Sequence, residues 1–294
     1  MNRLSKFAFI ATALLAVPVT AFADDEVPAG EVPTGETTTA PDPTAAPTTT
    51  GEASPDPGMA VPGLTLGKGK ILIAGETVNI NMSASAVGKP FSLAPSIYYG
   101  VSDKLTIGLS HDLGTQPSAP GVLPGAGICL SGTDSGCAKV YNNVGVDVLF
   151  GLAAAKFSAA VHGGLDFLSL DPMFLDLRVG LLGRYMVSDK IAITFDPRVE
   201  IGVTKRDAGN KGSLSLPVYL WFMASTKLGV YAGSGIGGRL DAFGDSYAIP
   251  LSVGATFKAN EKLSVGGDFS FLNIGGKGHT ADFRALGLRV AYAL

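Results

Sequence analysis

One phrase returns along this chain. Val101-Ser102-Asp103-Lys104-Leu105-Thr106-Ile107-Gly108 comes back at 187–194 as Val-Ser-Asp-Lys-Ile-Ala-Ile-Thr and at 259–266 as Ala-Asn-Glu-Lys-Leu-Ser-Val-Gly, with looser copies at 153–160 and 225–231. Each copy is a short polar turn closing on Lys, followed by apolar residues at every second position. Alternation of period two on both sides of a tight turn is the pattern of a β-hairpin. Turns of one style, separated by longer connections, predict an up-and-down antiparallel barrel with one short-turned rim. Twelve strands follow, at roughly 70–83, 90–100, 105–113, 140–152, 156–168, 174–186, 191–205, 214–225, 228–240, 247–258, 263–273 and 283–294. Strands of about 9–13 residues suit a tilted bilayer crossing. An even count brings both chain ends to one side.

The two faces of these strands say which side is wet. Leu175, Leu177, Val179, Leu181 and Tyr185 alternate with Asp176, Arg178, Gly180, Leu182 and Arg184. Ile191, Ile193, Phe195, Val199 and Ile201 alternate with Ala192, Thr194, Asp196, Arg198 and Glu200. A soluble barrel would turn the charged face outward, because unpaired charge is costly to bury. So many charges on one face predict an apolar exterior and a polar lumen. Tyr99, Phe150, Phe157, Tyr185, Phe222, Phe257 and Tyr292 fall on the apolar face near the short-turned rim, and Phe91, Phe167, Tyr247 and Phe271 near the other. Aromatic girdles at both interfaces mark a membrane barrel. Ile71 and Ile73 are out of phase with Val78, Ile80 and Met82, which predicts a bulge at Gly75 or else a strand that starts near Glu76.

Leu286, Leu288, Val290, Tyr292 and Leu294 alternate to the last residue. Together with the girdles and the hairpin turns, this end resembles the bacterial outer-membrane β-barrel (porin-like) superfamily, although Leu294 stands where those proteins usually end in Phe. The resemblance covers about residues 70–294. It implies a Gram-negative outer membrane, contact with its lipids and lipopolysaccharide, recognition of the C-terminal strand by the barrel-insertion machinery, and periplasmic termini.

The chain's beginning fits that address. Arg3 and Lys6, an apolar run over 7–16 and Ala21-Phe22-Ala23 read as a cleaved signal peptide, residues 1–23. Residues 24–67 are rich in Pro and Thr, carry eight acids and have no Lys or Arg, and read as a disordered periplasmic segment. Residues 68–294 are the barrel. The net charge of −3 becomes −5 without the two signal-peptide bases, and +3 for 68–294 once the eight acids are set aside. That balance points to no nucleic-acid partner. It allows either a tail lodged in a pore or a soluble spacer. Cys129 and Cys137 lie in the long loop 114–139 of an exported chain, so they predict a disulfide.

Inward positions hold Asp112, Asp147, His162, Asp166, Asp176, Arg178, Arg184, Asp196, Arg198, Glu200, Trp221, Arg239, Asp268 and Arg289. A three-residue turn at 188–190 sets Arg178 opposite Glu200 and predicts an ion pair between them. No catalytic constellation, metal site or cofactor motif emerges. Ser110-His111-Asp112 places neighbours on opposite faces of a strand. His162 and Asp166 read as a lumen hydrogen bond. Gly233, Gly235 and Gly238 lie in a strand with no helix after them, so they signal close backbone approach. Two functions remain open. One is a narrow pore for passive diffusion of small hydrophilic solutes, with an enzyme disfavoured. The other is a non-conducting structural or adhesive barrel acting through its extracellular loops.

Overall fold

The computed structural model describes residues 64–83, 87–111, 127–131, 139–153 and 157–294, with backbone alone at 75–79 and 153. The signal peptide, residues 24–63, Asp112 and Cys137 lie outside the described residues. The strands are β1 (Ile71–Asn81), β2 (Phe91–Ser102), β3 (Leu105–Ser110), β4 (Ile128–Cys129), β5 (Val144–Ala153), β6 (Phe157–Leu170), β7 (Met173–Ser188), β8 (Ile191–Phe195), β9 (Arg198–Gly202), β10 (Ser213–Met223), β11 (Leu228–Arg239), β12 (Leu251–Lys258), β13 (Leu263–Asn273) and β14 (Thr280–Ala293). They form one antiparallel sheet that closes where β1 pairs with both β14 and β2. Closure removes every exposed edge.

The wall has twelve staves. β8 and β9 are one stave interrupted at Asp196-Pro197, and both pair with β7 and β10. Pro197 cannot donate to a ladder, yet its carbonyl accepts from Leu181 N at 3.0 Å and Asp196 N donates to Pro217 O at 3.2 Å, so the stave continues. In the same way β4 prolongs the column of β3, pairing Ser92 and Leu93 of β2 above the point where β3 ends.

Hydrogen bonds explain why the turn phrase recurs. Ser102 Oγ accepts from Lys104 N and Leu105 N, at 3.3 and 3.1 Å. Ser225 Oγ accepts from Lys227 N and Leu228 N, Asn260 Oδ1 from Lys262 N and Leu263 N, and Ser188 Oγ from Lys190 N. The residue two before each Lys caps the turn backbone with its own oxygen. That cap gives the Ser/Asn position of these four turns a physical role.

Several details differ from the sequence reading. The β1 bulge falls between Glu76 and Val78 rather than at Gly75. Tyr247 precedes β12 and stacks on Phe243 beside a four-residue helix, because Pro250 delays the strand to Leu251. The β6–β7 connection is a tight turn at Asp171-Pro172, which lengthens β6 and β7 to 14 and 16 residues. Leu64 to Gly67, grouped by composition with the disordered segment, are ordered. Leu64 and Leu66 are each only 8 % exposed, because two apolar side chains in an otherwise polar stretch have somewhere to go.

Burial follows the alternation. Large outward residues such as Val148, Val161, Val179, Leu220 and Val253 are exposed, while inward residues are buried, as Asp147, His162, Asp166, Arg178 and Glu200 are, or half-buried, as Arg184, Asp196 and Arg198 are. The seven aromatics of the short-turned rim, Tyr99, Phe150, Phe157, Tyr185, Phe222, Phe257 and Tyr292, are all exposed on the outer wall.

Candidate functional site

The lumen is the only place where this fold gathers chemistry among the described residues. Its charged belt is carried by β5 to β9. Arg178 on β7 is 4 % exposed, and its Nη2 lies 3.0 Å from Asp166 Oδ1 and also pairs with Asp147. Asp147 on β5 and Arg178 on β7 are both Cα partners of Gly164 on the intervening β6. A Cβ at Gly164 would collide with the Val146 carbonyl and stand 3.1 Å from the Asp147 carboxylate. The glycine therefore lets the guanidinium cross a whole stave.

Gly180 does the same one stave along. His162 on β6 reaches past it so that Nε2 lies 2.7 Å from Asp196 Oδ1, and a Cβ at Gly180 would strike the imidazole. Asp196 Oδ2 also accepts from Arg198 Nη1 at 3.0 Å, and Arg198 Nε lies 3.8 Å from Glu200 Oε1. Ser213 Oγ donates to Glu200 Oε2 at 2.8 Å. Asp166 and Asp176 are register partners and both almost fully buried. Like charges opposite each other are unfavourable, and Arg178 beside Asp166 offsets this.

The register expected for β7 and β9 is present, with Arg178 opposite Glu200 and Arg184 opposite Thr194. The expected Arg178–Glu200 ion pair is not what forms. Glu200 is held by Ser213 and Arg198, and Arg178 turns the other way, over Gly164. His162 likewise bonds Asp196 and not Asp166.

The opposite wall carries a second layer. Arg289 Nη2 lies 2.9 Å from Asp268 Oδ1, and Nη1 donates to the Tyr231 hydroxyl at 2.6 Å. Tyr231 lies over Gly254 and packs on Trp221, with ring centroids 4.5 Å apart. Trp221 Nε1 donates to Thr194 Oγ1 at 3.1 Å. Ala192, Met186, Tyr219 and Met223 complete this cluster, so Trp221 is packing at the short-turned end. Arg239 sits at the other rim, bidentate to Asp241. Outside the strands, the hydrogen bond and charge of Arg239 help hold the Asp241 carboxyl below the usual range.

A cavity of ≈ 310 Å³ lies inside the barrel, between the charged belt and Leu64, Leu66, Leu72, Tyr98 and Leu149. A larger concavity of ≈ 540 Å³ lies on the outer wall over Gly163 and Gly164, lined by Val146, Val148, Phe150 and Val179. Most of its lining is the apolar outer face.

The three histidines sit apart. His111 bonds Pro95 O and the Tyr141 hydroxyl at the rim, while Ser110 bonds Ser96 on the inner face. His279 bonds Gly276 O in a loop. Cys129 on β4 is buried, and its expected partner Cys137 lies outside the described residues. The sequence reading missed Tyr231, the two wall glycines and the Leu64–Leu66 pair. Tyr231 was legible, since it shares the inward phase of Gly229 and Gly233.

A twelve-staved wall, apolar outside and charged inside, has the closed β-barrel fold of porin-like outer-membrane proteins. Solved porins are similar to it in fold. The "NanC porin" is similar at a TM-score of 0.51 and 7% identity, covering 76% of this chain and 100% of that one. The "KdgM porin" is similar at 0.50 and 11%, covering 76% and 98%. An outer membrane channel from Pseudomonas putida F1 scores 0.49 at 12% identity, covering 83% and 100%. No family profile and no curated protein sequence matches this chain.

Proposed function

We propose that this protein is a narrow outer-membrane pore for passive diffusion of small hydrophilic solutes. The observation that carries the reading is the lumen itself. It is lined by fixed, mutually bonded charges and holds a cavity of ≈ 310 Å³, inside a wall whose apolar side faces outward. A twelve-stave interior lies between the filled eight-stranded and the open sixteen-stranded cases, which limits passage to small solutes. Because the charges answer one another along the wall, they are held against it and leave the cavity beside them to a small polar solute.

The rest of the reading goes with it. Residues 1–23 direct export, 24–63 form a periplasmic segment, and the short-turned rim with both termini faces the periplasm. The C-terminal strand Thr280–Ala293 serves the insertion machinery. Cys129 and Cys137 close a small ring in the outer loop, which alkylation before and after reduction would count by mass.

The test is single-channel conductance of the refolded mature protein in a planar bilayer. Discrete steps are expected. Silence from protein shown to be folded would favour a structural or adhesive barrel instead. The loop stem supports that second reading to one extent, since it is pinned to the rim by Leu130 N to Phe91 O and by Phe91 N to Ser131 Oγ.

A further inference from the structure

Before entering the wall as β1, the chain runs inside the barrel. Leu64, Thr65 and Leu66 line the same cavity as Asp147, His162, Arg178, Asp196 and Arg198, which belong to the inner faces of β5 to β9. The run is seated by specific bonds. Leu66 N donates to Thr106 Oγ1 at 2.8 Å, Lys68 N to Asp103 Oδ1 at 3.0 Å, and Thr65 Oγ1 to Asp103 O at 3.3 Å. Gly69, at φ +77°, turns the chain from the lumen into the wall and donates to Gly100 O at 2.8 Å. Gly100 is the seat: a Cβ there would collide with the Gly67 carbonyl and stand 3.0 Å from Leu66 O. Thr65 rests over Gly151, which also lacks a side chain.

We infer that Leu64–Gly67 is a built-in strap that forms the size-determining constriction of the pore at its short-turned mouth. The inference rests on the pore reading above. Three points separate it from a simple N-terminal tether. A tether could lie along the rim, whereas both leucines are buried within the lumen. Leu66 N is held by the buried, lumen-facing Thr106 hydroxyl, and the flanking Thr65 and Lys68 are held by Asp103 of the β2–β3 turn, so the position is defined. The cavity is bounded on one side by the leucines and on the other by the Arg178, Arg198 and His162–Asp196 belt, so a solute using it passes an apolar lip facing a charged wall. Such a gap favours small polar solutes and excludes bulky ones.

The experiment compares three full-length mature proteins in planar bilayers, with folding verified by circular dichroism: the natural chain, the double variant Leu64→Ala, Leu66→Ala, and Gly100→Ala. The double variant shrinks the strap and the single variant unseats it. Each is expected to raise single-channel conductance about twofold or more, and to admit larger neutral sugars in vesicle swelling. Steps seen only in the variants would overturn the constriction, because the natural strap would then close the barrel rather than set the size of what passes. Unchanged conductance and unchanged sugar cut-off would overturn the strap while leaving the pore standing. Silence in all three folded proteins would overturn the pore and the strap with it. Should neither variant fold, the natural protein decides through neutral-polymer exclusion. Polymers are expected to enter from the long-loop mouth at sizes refused from the short-turned one, and equal cut-offs from both sides would overturn the inference.

Discussion

At the scale of single residues, the lumen is organised by what glycines permit. Avoidance of like charge is enough to set Arg178 opposite Glu200, and the strands pair in that register. Yet the direction in which a five-donor side chain turns depends on the volume beside it, which no pairing rule contains. Gly164 leaves room, so Arg178 reaches Asp147 and Asp166. All three groups are nearly buried, and removing the cation leaves two carboxylates unanswered. Breaking such a pair from one side costs about 3–5 kcal/mol. Arg178→Met is therefore expected to lower unfolding stability in urea by that order, and Arg178→Met with Asp147→Asn and Asp166→Asn to recover most of it. Exchanging Arg178 and Glu200 should not recover stability, since they are not each other's partners; a fully stable exchange variant would contradict the assignment. Gly164→Val should prevent folding outright, because its side chain has no space between Val146 and Asp147.

At the scale of elements, strands were legible and their exceptions were not. Period-two alternation and the Ser/Asn-x-Lys turns locate all twelve staves, because each outward residue meets lipid and each inward one meets charge. The break at Asp196-Pro197, the tight Asp171-Pro172 turn and the inward run at Leu64–Gly67 escape the pattern, since each depends on a partner distant in sequence. The β6–β7 turn also fastens the long loop. Lys139 Nζ lies 2.8 Å from Asp171 Oδ2, and that hydrogen bond and charge hold the Asp171 carboxyl below its ordinary value. A depressed carboxylate contributes its bond fully above its ordinary pKa of about 4 and loses it as pH falls through the lower, folded value. Both groups are exposed, so the global stability should hardly move. Locally, the protection factors of the amides at 139–142, corrected for intrinsic exchange, should fall on acidification below the ordinary carboxylate range and in high salt. Lys139→Ala should show low protection at every pH, and protection that still falls with pH in that variant would separate the loop stem from this ion pair.

At the scale of the whole molecule, one sheet serves two solvents. Its outer face carries Val161, Val179, Leu220 and Val253 with nothing covering them, which in water would be an aggregation-prone surface. Its inner face carries Asp147, His162, Arg178 and Glu200, which in hydrocarbon would be prohibitive. A bilayer outside reconciles the apolar face, and mutual pairing around the lumen reconciles the charged one. Depth along the wall then becomes measurable. Val179 is 52 % exposed and pairs with Gly163 and Val199 well inside its stave, whereas Val203, also 52 % exposed, lies just past the end of β9. An arginine on the lipid face costs about 2–4 kcal/mol at the bilayer midplane and about 0–1 near the interface. Val179→Arg is thus expected to destabilise the protein folded in lipid vesicles by the larger amount, and Val203→Arg by the smaller. In a water-exposed wall both substitutions would have small and similar effects, because each side chain is equally half-exposed. Two small and equal effects in vesicles would therefore remove the membrane from the outer face and with it the basis for a conducting lumen.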